Sequence, residues 1–383
     1  MWIKGNLYMG DVVEGCLGFD RRIREIKREC KPDLKLPNDS LILPAGVDMH
    51  VHLRGLELSY KETVSSGTSE AVYGGIGLVV DMPNTVPPIN DERSINMRLR
   101  ELADHSRCDY GVYSGVTKHD VESLPIAGYK VFPEDINKEE TIQLFTSKKL
   151  KILHPEVPVA LRYGRMNRRT WQEIASLYEV KGRFHITHVT NLDTLRLAKD
   201  LGFTTDLTAH HLLVDGERNC LTKVNPPIRD ATERKKLLTA LFEADAVASD
   251  HAPHASAEKS LPYELCPPGI AAVSFTLPFI YTLAFRGVIP LSRAVELTSR
   301  GPSNILNVDA GELREGYLAN IVVLRKDRWR YSTRYSKVTQ TPLDGFPLDA
   351  SVHATIVEGK VSYLEGQVYP VRGSNVFDKT GRS

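Results

Sequence analysis

Two histidines one residue apart, His50 and His52, stand at the end of the apolar stretch GVDMHVH (46–52). In an extended strand side chains i and i+2 share a face, so the two imidazoles point together. Alone, such a pair reads equally well as satisfied core or surface groups. Further ligand types recur, however, at the ends of later apolar runs: Lys130, His154, His188 and Asp250. Four imidazoles and a carboxylate suit Zn²⁺ or a similar borderline metal, and a bridging anion would allow a second ion. An ammonium group cannot ligate a cation. Lys130 joins the set only as a carbamate formed with CO₂, whose two oxygens can bridge; its plain alternative is a lysine paired with Glu134 or Asp135. Arg54, two positions after His52 and on the same strand face, suits bidentate capture of a carboxylate, with a surface ion pair as its ordinary reading. Asn225, ahead of two prolines, reads locally as a turn residue. His185 is out of step with His188, so only one faces the cluster, and the HVT context favours His188. His210 and His211 are assigned to no metal, and His105, His119 and His353 are expected at the surface.

The elements that must position these residues alternate. From about 46 to 300, short β-like runs are followed by helical patterns, the signature of repeated βα units and a parallel sheet. Eight runs are expected as strands, ending near 46–52, 77–84, 109–115, 127–132, 151–156, 184–189, 203–211 and 245–254. That number closes a barrel, and barrel active sites lie at the C-terminal strand ends where the candidates stand. Helices are expected between them, for example through Ile95, Leu99 and Leu102 after Asn90 and Asp91 as caps, and over 170–180, 191–201 and 231–243. Both chain ends lack the alternation and include short strand-like runs, among them 319–324 and 354–366. The fold expected is therefore an α/β (β/α)8 TIM-like barrel over 46–343, with a small β domain built from 1–45 plus 344–383.

Bulk properties agree. A chain of 383 residues fits one barrel of about 250–300 residues with a modest accessory domain. With 49 Lys+Arg against 48 Asp+Glu, no net field draws it to nucleic acid or an anionic membrane, and the basic stretch 21–27 reads as solvated surface. No run approaches the ~20 apolar residues of a membrane span, and the N-terminus lacks a signal core. Five scattered cysteines (Cys16, Cys30, Cys108, Cys220, Cys266), odd in number and without a C-x-x-C pair, suggest neither a disulfide framework nor a thiolate zinc site. A reducing cytoplasm is expected.

GVDMHVHLRG, SYKET and GGIGLVVDMPNTVPP, followed in order by AGYKVF, ILHPE, ITHVTN, TAHHL, KVNPPIR, ASDHAPH and CPPGI, resemble the cyclic amidohydrolases and, among them, the dihydroorotases. The resemblance covers essentially the whole barrel. It implies reversible hydrolysis of L-dihydroorotate to N-carbamoyl-L-aspartate, in de novo pyrimidine (UMP) biosynthesis, at two Zn²⁺ ions. By that likeness His50, His52, carboxylated Lys130 and Asp250 hold one metal, and Lys130, His154 and His188 the other. A bridging hydroxide is the implied nucleophile, and Asp250 the residue that moves its proton to the leaving ring nitrogen. Arg54, Asn84 and His254 match positions that bind the substrate carboxylate, while Asn225 and the backbone at Pro268-Gly269 match positions that touch the ring. The chain departs from the pattern after HLR, where Gly55-Leu56-Glu57 replaces an acidic residue and Pro-Gly. After Lys130 it lacks the Thr-containing loop of some relatives, and after CPPGI it lacks an acidic residue.

Allantoinases and hydantoinases share the metal site, and HLR with MPNT favours dihydroorotase over both. A different class is an inactive homologue serving as structural partner of aspartate carbamoyltransferase; such proteins lose metal ligands, and all are present here. A nucleic-acid deaminase would need a P-C-x-x-C ligand pair. The partners expected are the small-molecule substrate, with room for a homodimer or association with aspartate carbamoyltransferase, and neither nucleic acid nor membrane.

Overall fold

The computed structural model describes residues 1–163, 170–216, 218–338 and 340–378. Eight parallel strands follow one another in chain order: Gly46–Val51, Ile76–Asp81, Asp109–Gly115, Gly128–Val131, Leu150–Leu153, Phe184–Ile186, Thr204–Thr208 and Ala246–Ala248. The ring closes where Val51 bridges His251 and the His52 amide donates to the His251 carbonyl at 2.8 Å. Each strand falls on one of the eight runs expected from the sequence. They are almost wholly buried because helices cover the outside and side chains fill the inside. Val47 and Met49 (first strand), Leu78 and Val80 (second), Tyr113 (third), Ile152 (fifth) and Ala246 (eighth) form one cluster. Strands that are not neighbours in a sheet meet only across the barrel, so this cluster is its packed interior.

The helices start where the chain supplies caps. Thr63 and Asp91 cap Val64–Tyr73 and Glu92–His105 through reciprocal bonds with Ser66 and Ser94, and Asn191 and Asp230 cap Leu192–Asp200 and Ala231–Thr239. The apolar stripe Ile95, Leu99 and Leu102 lies within the second of these, against the barrel's outer face.

A second eight-stranded sheet joins the chain ends in the order 367–368, 360–364, 351–357, 321–325, 41–44, 2–8, 12–19, 23–27. Ile321–Arg325 lies at its centre, N-terminal to the boundary at 344 drawn from the sequence. Alternation explains the place of this strand: Ile321 and Val323 pack into the small sheet's own core, while Val322 and Leu324 pack toward the barrel. Two buried carboxylates fasten a further segment. Glu70 accepts from the amides of Arg334, Tyr335 and Ser336, and Glu62 accepts from the Lys337 amide and the Ser336 hydroxyl.

Two sequence expectations fail. Cys16 is bonded to Cys30 and Cys220 to Cys266, each with Cα atoms 6.0 Å apart, and Cys108 is free and buried. The partners are 14 and 46 residues apart, so tertiary folding rather than local spacing brings them together. The argument from cysteine usage to a reducing compartment loses its basis. His353 is also buried, 3.7 Å from Glu365, on a strand with neighbours on both sides in the small sheet; His105 and His119 are exposed as expected. Among the described residues, no helix is long and apolar enough to cross a membrane.

The second strand ends on Asp81, whose carboxylate is fully buried, accepts from the Leu53 amide at 2.8 Å, and pairs with Arg98 at 2.7 Å. Removing the guanidinium leaves an uncompensated charge in the core. Arg98→Met should therefore cost about 3–5 kcal/mol in reversible urea unfolding; a loss below about 1 kcal/mol would show that Asp81 does not depend on it.

Candidate active site

At the C-terminal ends of the barrel strands lies a cavity of about 310 Å³. All twelve residues singled out from the sequence line it: His50, His52, Arg54, Asn84, Lys130, His154, His188, Asn225, Asp250, His254, Pro268 and Gly269. Its wall also takes Phe132, Pro133 and Glu134 from the segment after Lys130.

The first strand reaches the cavity through an irregularity. Its register with the second strand shifts between Asp48 and Val51, exchanging the parity that sends Val47 and Met49 into the packed interior for one that sends Val51 and Leu53 outward. His50 and His52 are thereby aimed into the mouth, their ring centroids 5.2 Å apart, the kind of re-aiming that bulges provide. His188 and Asp250 take φ values of 42° and 46° at the ends of their strands. Left-handed backbone at such residues costs about 1–3 kcal/mol each and persists only where its surroundings impose it. Buried carboxylates hold the backbone of His188 and of the residue before Asp250. Asp206 accepts from the His188 amide at 2.6 Å, and Asp48 accepts from the amides of His50 and Ser249 at 3.1 Å each.

Hydrogen bonds also set the rings. Burial holds His50 and His52 neutral, below their ordinary range. Thr187 gives its hydroxyl proton to Asp206 at 2.9 Å and so accepts from His50 Nδ1 at 2.7 Å. Asn84 Oδ1 accepts from His52 Nδ1 at 2.7 Å. Both rings therefore turn an Nε2 lone pair inward, and both lone pairs lie 3.2 Å from the same Asp250 oxygen. Three electron-rich atoms so placed repel one another unless a cation lies among them, so the donor set fits a metal ion.

Lys130, His154 and His188 complete the cluster. Lys130 Nζ is buried without a hydrogen-bond partner, and burial pushes it down to about 8. His188 Nδ1 is likewise buried and unpartnered. The rings of His154 and His188 lie 4.5 Å apart, and His154 Nε2 bonds Glu156 at 2.6 Å. His185 faces away, held by Asp206 at 2.8 Å and Thr204 at 2.9 Å. His210 and His211 are buried outside the cavity lining.

The same cavity also carries cationic groups. Arg54 is buried, its Nε donating to the Pro253 carbonyl at 3.0 Å and Nη2 lying 3.2 Å from His254 Nε2. Burial pushes the guanidinium down to about 10. Lys61 approaches the other nitrogen of His254 at 3.3 Å, and Glu258 is the nearby acid. Burial and then Arg54 and Lys61 hold His254 neutral. The Gly55 departure noted in the sequence has a structural counterpart: Arg54, Gly55 and Leu56 all have positive φ (53°, 62°, 45°), and a Cβ on Gly55 would collide with Arg98.

Sequence reasoning missed Asp48, Asp81, Thr187, Asp206, Glu156 and Lys61. A usable signal existed for two of them: Asp48 and Asp81 interrupt otherwise apolar strands, where an acid persists only with partners.

The pattern described as "Dihydro-orotase-like" matches residues 39–129, and that of the "Amidohydrolase family" residues 176–362. A dihydroorotase of Sulfolobus acidocaldarius is 58% identical over 389 residues, covering all of both chains, and one of Saccharolobus solfataricus is 59% identical with 98% of each covered. The chain belongs to the dihydroorotase family. Among solved structures it is similar to L-hydantoinase (dihydropyrimidinase) from Arthrobacter aurescens, with TM-score 0.86, 19% identity and 95% and 96% of the two chains covered. Dihydropyrimidinase from Brevibacillus agri gives 0.86 and 19%, with 97% of each covered. At that identity the structural likeness speaks for the shared barrel and accessory sheet.

If His50 holds a cation through Nε2, the Thr187 hydroxyl fixes the required tautomer. Thr187→Val should then weaken zinc binding about 10–100-fold in a chelator competition. Unchanged affinity would mean that the ring is oriented by something else.

Proposed function

We propose that this chain interconverts L-dihydroorotate and N-carbamoyl-L-aspartate, as a zinc-dependent enzyme of pyrimidine biosynthesis. The observation that carries the reading is one cavity lined both by a cation-demanding donor cluster and by a buried arginine. A cyclic amide with a carboxylate substituent meets both: the scissile carbonyl faces the donors, and the carboxylate faces Arg54, Asn84 and His254. A hydantoinase acting on uncharged rings would have no use for Arg54 at this depth.

His50, His52 and Asp250 would hold one zinc ion, His154 and His188 a second, and Lys130 as a carbamate would join both sets. A neutral amine is what reacts with CO₂, and burial of Lys130 favours that form. Such ions supply an activated water at neutral pH and polarise a carbonyl. Asp250 would accept the proton released as the attacking oxygen adds to the carbonyl and give it to the departing ring nitrogen. Arg54 clamps the substrate carboxylate and so sets which carbonyl approaches the donors. Asn225 and the Pro268-Gly269 backbone hold the ring's polar edge. The cytoplasm is the proposed location and a homodimer the proposed assembly; association with aspartate carbamoyltransferase is a second assembly proposal.

Lys130→Ala should lower zinc content and nearly abolish turnover, with partial rescue by an added short-chain carboxylic acid. Full activity without rescue would refute a bridging role. Substrate identity is tested on Arg54, which is proposed as no metal ligand. Charge-assisted bonds of about 1.5–3 kcal/mol each predict at least ~10²-fold preference for dihydroorotate over dihydrouracil. Arg54→Met should erase most of that preference with zinc content intact; equal turnover of both by the unaltered protein would sink the substrate assignment.

A further inference from the structure

The cavity wall opposite the third to fifth strands is made of two irregular segments, one leading to Asn225 and one to Pro268-Gly269. Among the described residues the first has no helix or strand and the second only the single turn Ser256–Lys259, yet the two are joined at several points. The Cys220–Cys266 disulfide links them covalently. Lys223 Nζ donates across to the carbonyls of Tyr263 and Cys266 at 2.6 and 2.7 Å, and its own carbonyl accepts from the Gly269 amide at 2.9 Å. Lys259 Nζ donates to the carbonyls of Cys220 and Pro267, both at 2.9 Å.

The joined segments press directly on the anion-binding corner. Gly269 has φ 148° and lies so close to Ala252 that a Cβ would come within 2.4 Å of its carbonyl oxygen. The Pro268 carbonyl lies 3.0 Å from His254 Nε2, the same nitrogen that Arg54 approaches. None of the six proposed metal-binding residues lies on either segment. A shift of residues 266–269 would therefore move the ring-binding backbone and His254 while leaving the donor cluster in place.

We propose that the Cys220–Cys266 disulfide is a positioning device for the substrate: it keeps the Asn225 and Pro268-Gly269 wall in its binding shape, so that opening it weakens substrate binding without disturbing the metal site. The inference rests on reading those residues as substrate contacts. Cys220 is half-buried and within reach of a small reductant, whereas Cys266 is enclosed.

The test uses the zinc-loaded full chain and a water-soluble phosphine. The phosphine is oxidised to its oxide with oxygen from water, and the S–S bond takes up two electrons and two protons to give two thiols. Thiol alkylation and peptide mass spectrometry follow which bond opens. Reduction should raise KM for L-dihydroorotate about tenfold, the scale expected when pre-organisation of a binding wall is lost, with kcat within about twofold and zinc content unchanged. Cys220→Ser should reproduce the raised KM and no longer respond to the phosphine. Cys30→Ser, which removes the disulfide of the small sheet, should keep the unaltered KM and stay sensitive. If Cys220→Ser fails to accumulate, reduction of the folded wild-type chain decides alone. A KM that does not move on reduction, simultaneous loss of kcat and zinc, or free thiols at Cys220 and Cys266 in air-equilibrated protein each overturns the proposal. Turnover before reduction with an unchanged KM afterwards refutes the positioning role alone, whereas no turnover before reduction overturns the substrate reading with it.

Discussion

One carboxylate oxygen of Asp250 lies 3.2 Å from the inward nitrogens of two neutral histidines, and much of the barrel is organised to hold that unfavourable arrangement. Without a cation, lone pairs at this spacing gain nothing from one another, and any freedom in the rings or the strands would be spent separating them. The surrounding structure removes that freedom. Thr187 and Asn84 lock the tautomers, the register shift in the first strand aims both rings, and Asp250 itself sits in a left-handed backbone conformation. Such pre-organisation means that the cost of assembling the donors is met in folding, so that a metal ion encounters a finished set.

The supporting layer uses one device repeatedly. Asp48, Asp81 and Asp206 are buried on three different strands, and each accepts a backbone amide of a residue that leads into the cavity: His50, Leu53 and His188. A side-chain bond to a backbone amide fixes where a strand ends and which way the next side chain turns. The three are compensated differently. Asp81 has Arg98, and Asp206 has Thr187 and His185. Asp48 accepts from the amides of His50 and Ser249, and burial outweighs these bonds and pushes its carboxyl up to about 6. Its proton is therefore held more tightly in the folded chain than in the unfolded one. The contribution of Asp48 to stability is fullest below the ordinary carboxylate range and declines as pH rises through about 6.

The positions of all eight barrel strands were legible in the sequence because each is an apolar run followed by a polar residue with chemistry, and that pairing recurs only in a barrel whose strand ends converge. The candidate ligands were legible for the same reason. What was not legible depends on contacts between distant segments. Ile321–Arg325 looks like any short apolar strand, and only its two-sided packing between sheet and barrel gives it a place at the centre of the small sheet. Cys220 and Cys266 carry no spacing signal, since the loops that bring them together are shaped by lysine-to-carbonyl bonds whose partners are main-chain atoms of any residue type. His353 reads as polar surface until its strand is seen to have neighbours on both sides.

The same barrel supports related chemistry in structures that share less than a fifth of their residues with this chain, so the fold alone does not select a substrate. Selection must come from the cavity residues beside the donors, and their electrostatics are lopsided. Burial, and after it Arg54 and Lys61, keep His254 neutral, with Glu258 the acid beside them and partly exposed. Burying a guanidinium is costly, and here burial pushes it down to about 10 rather than being relieved by a matched carboxylate within the protein. An arginine kept at that cost, bonded to a main-chain carbonyl and facing the cavity, is compensated most fully when an anionic ligand arrives. The anion's entry then relieves a charge imbalance built into the folded chain, and an uncharged ring of the same shape gains nothing from it.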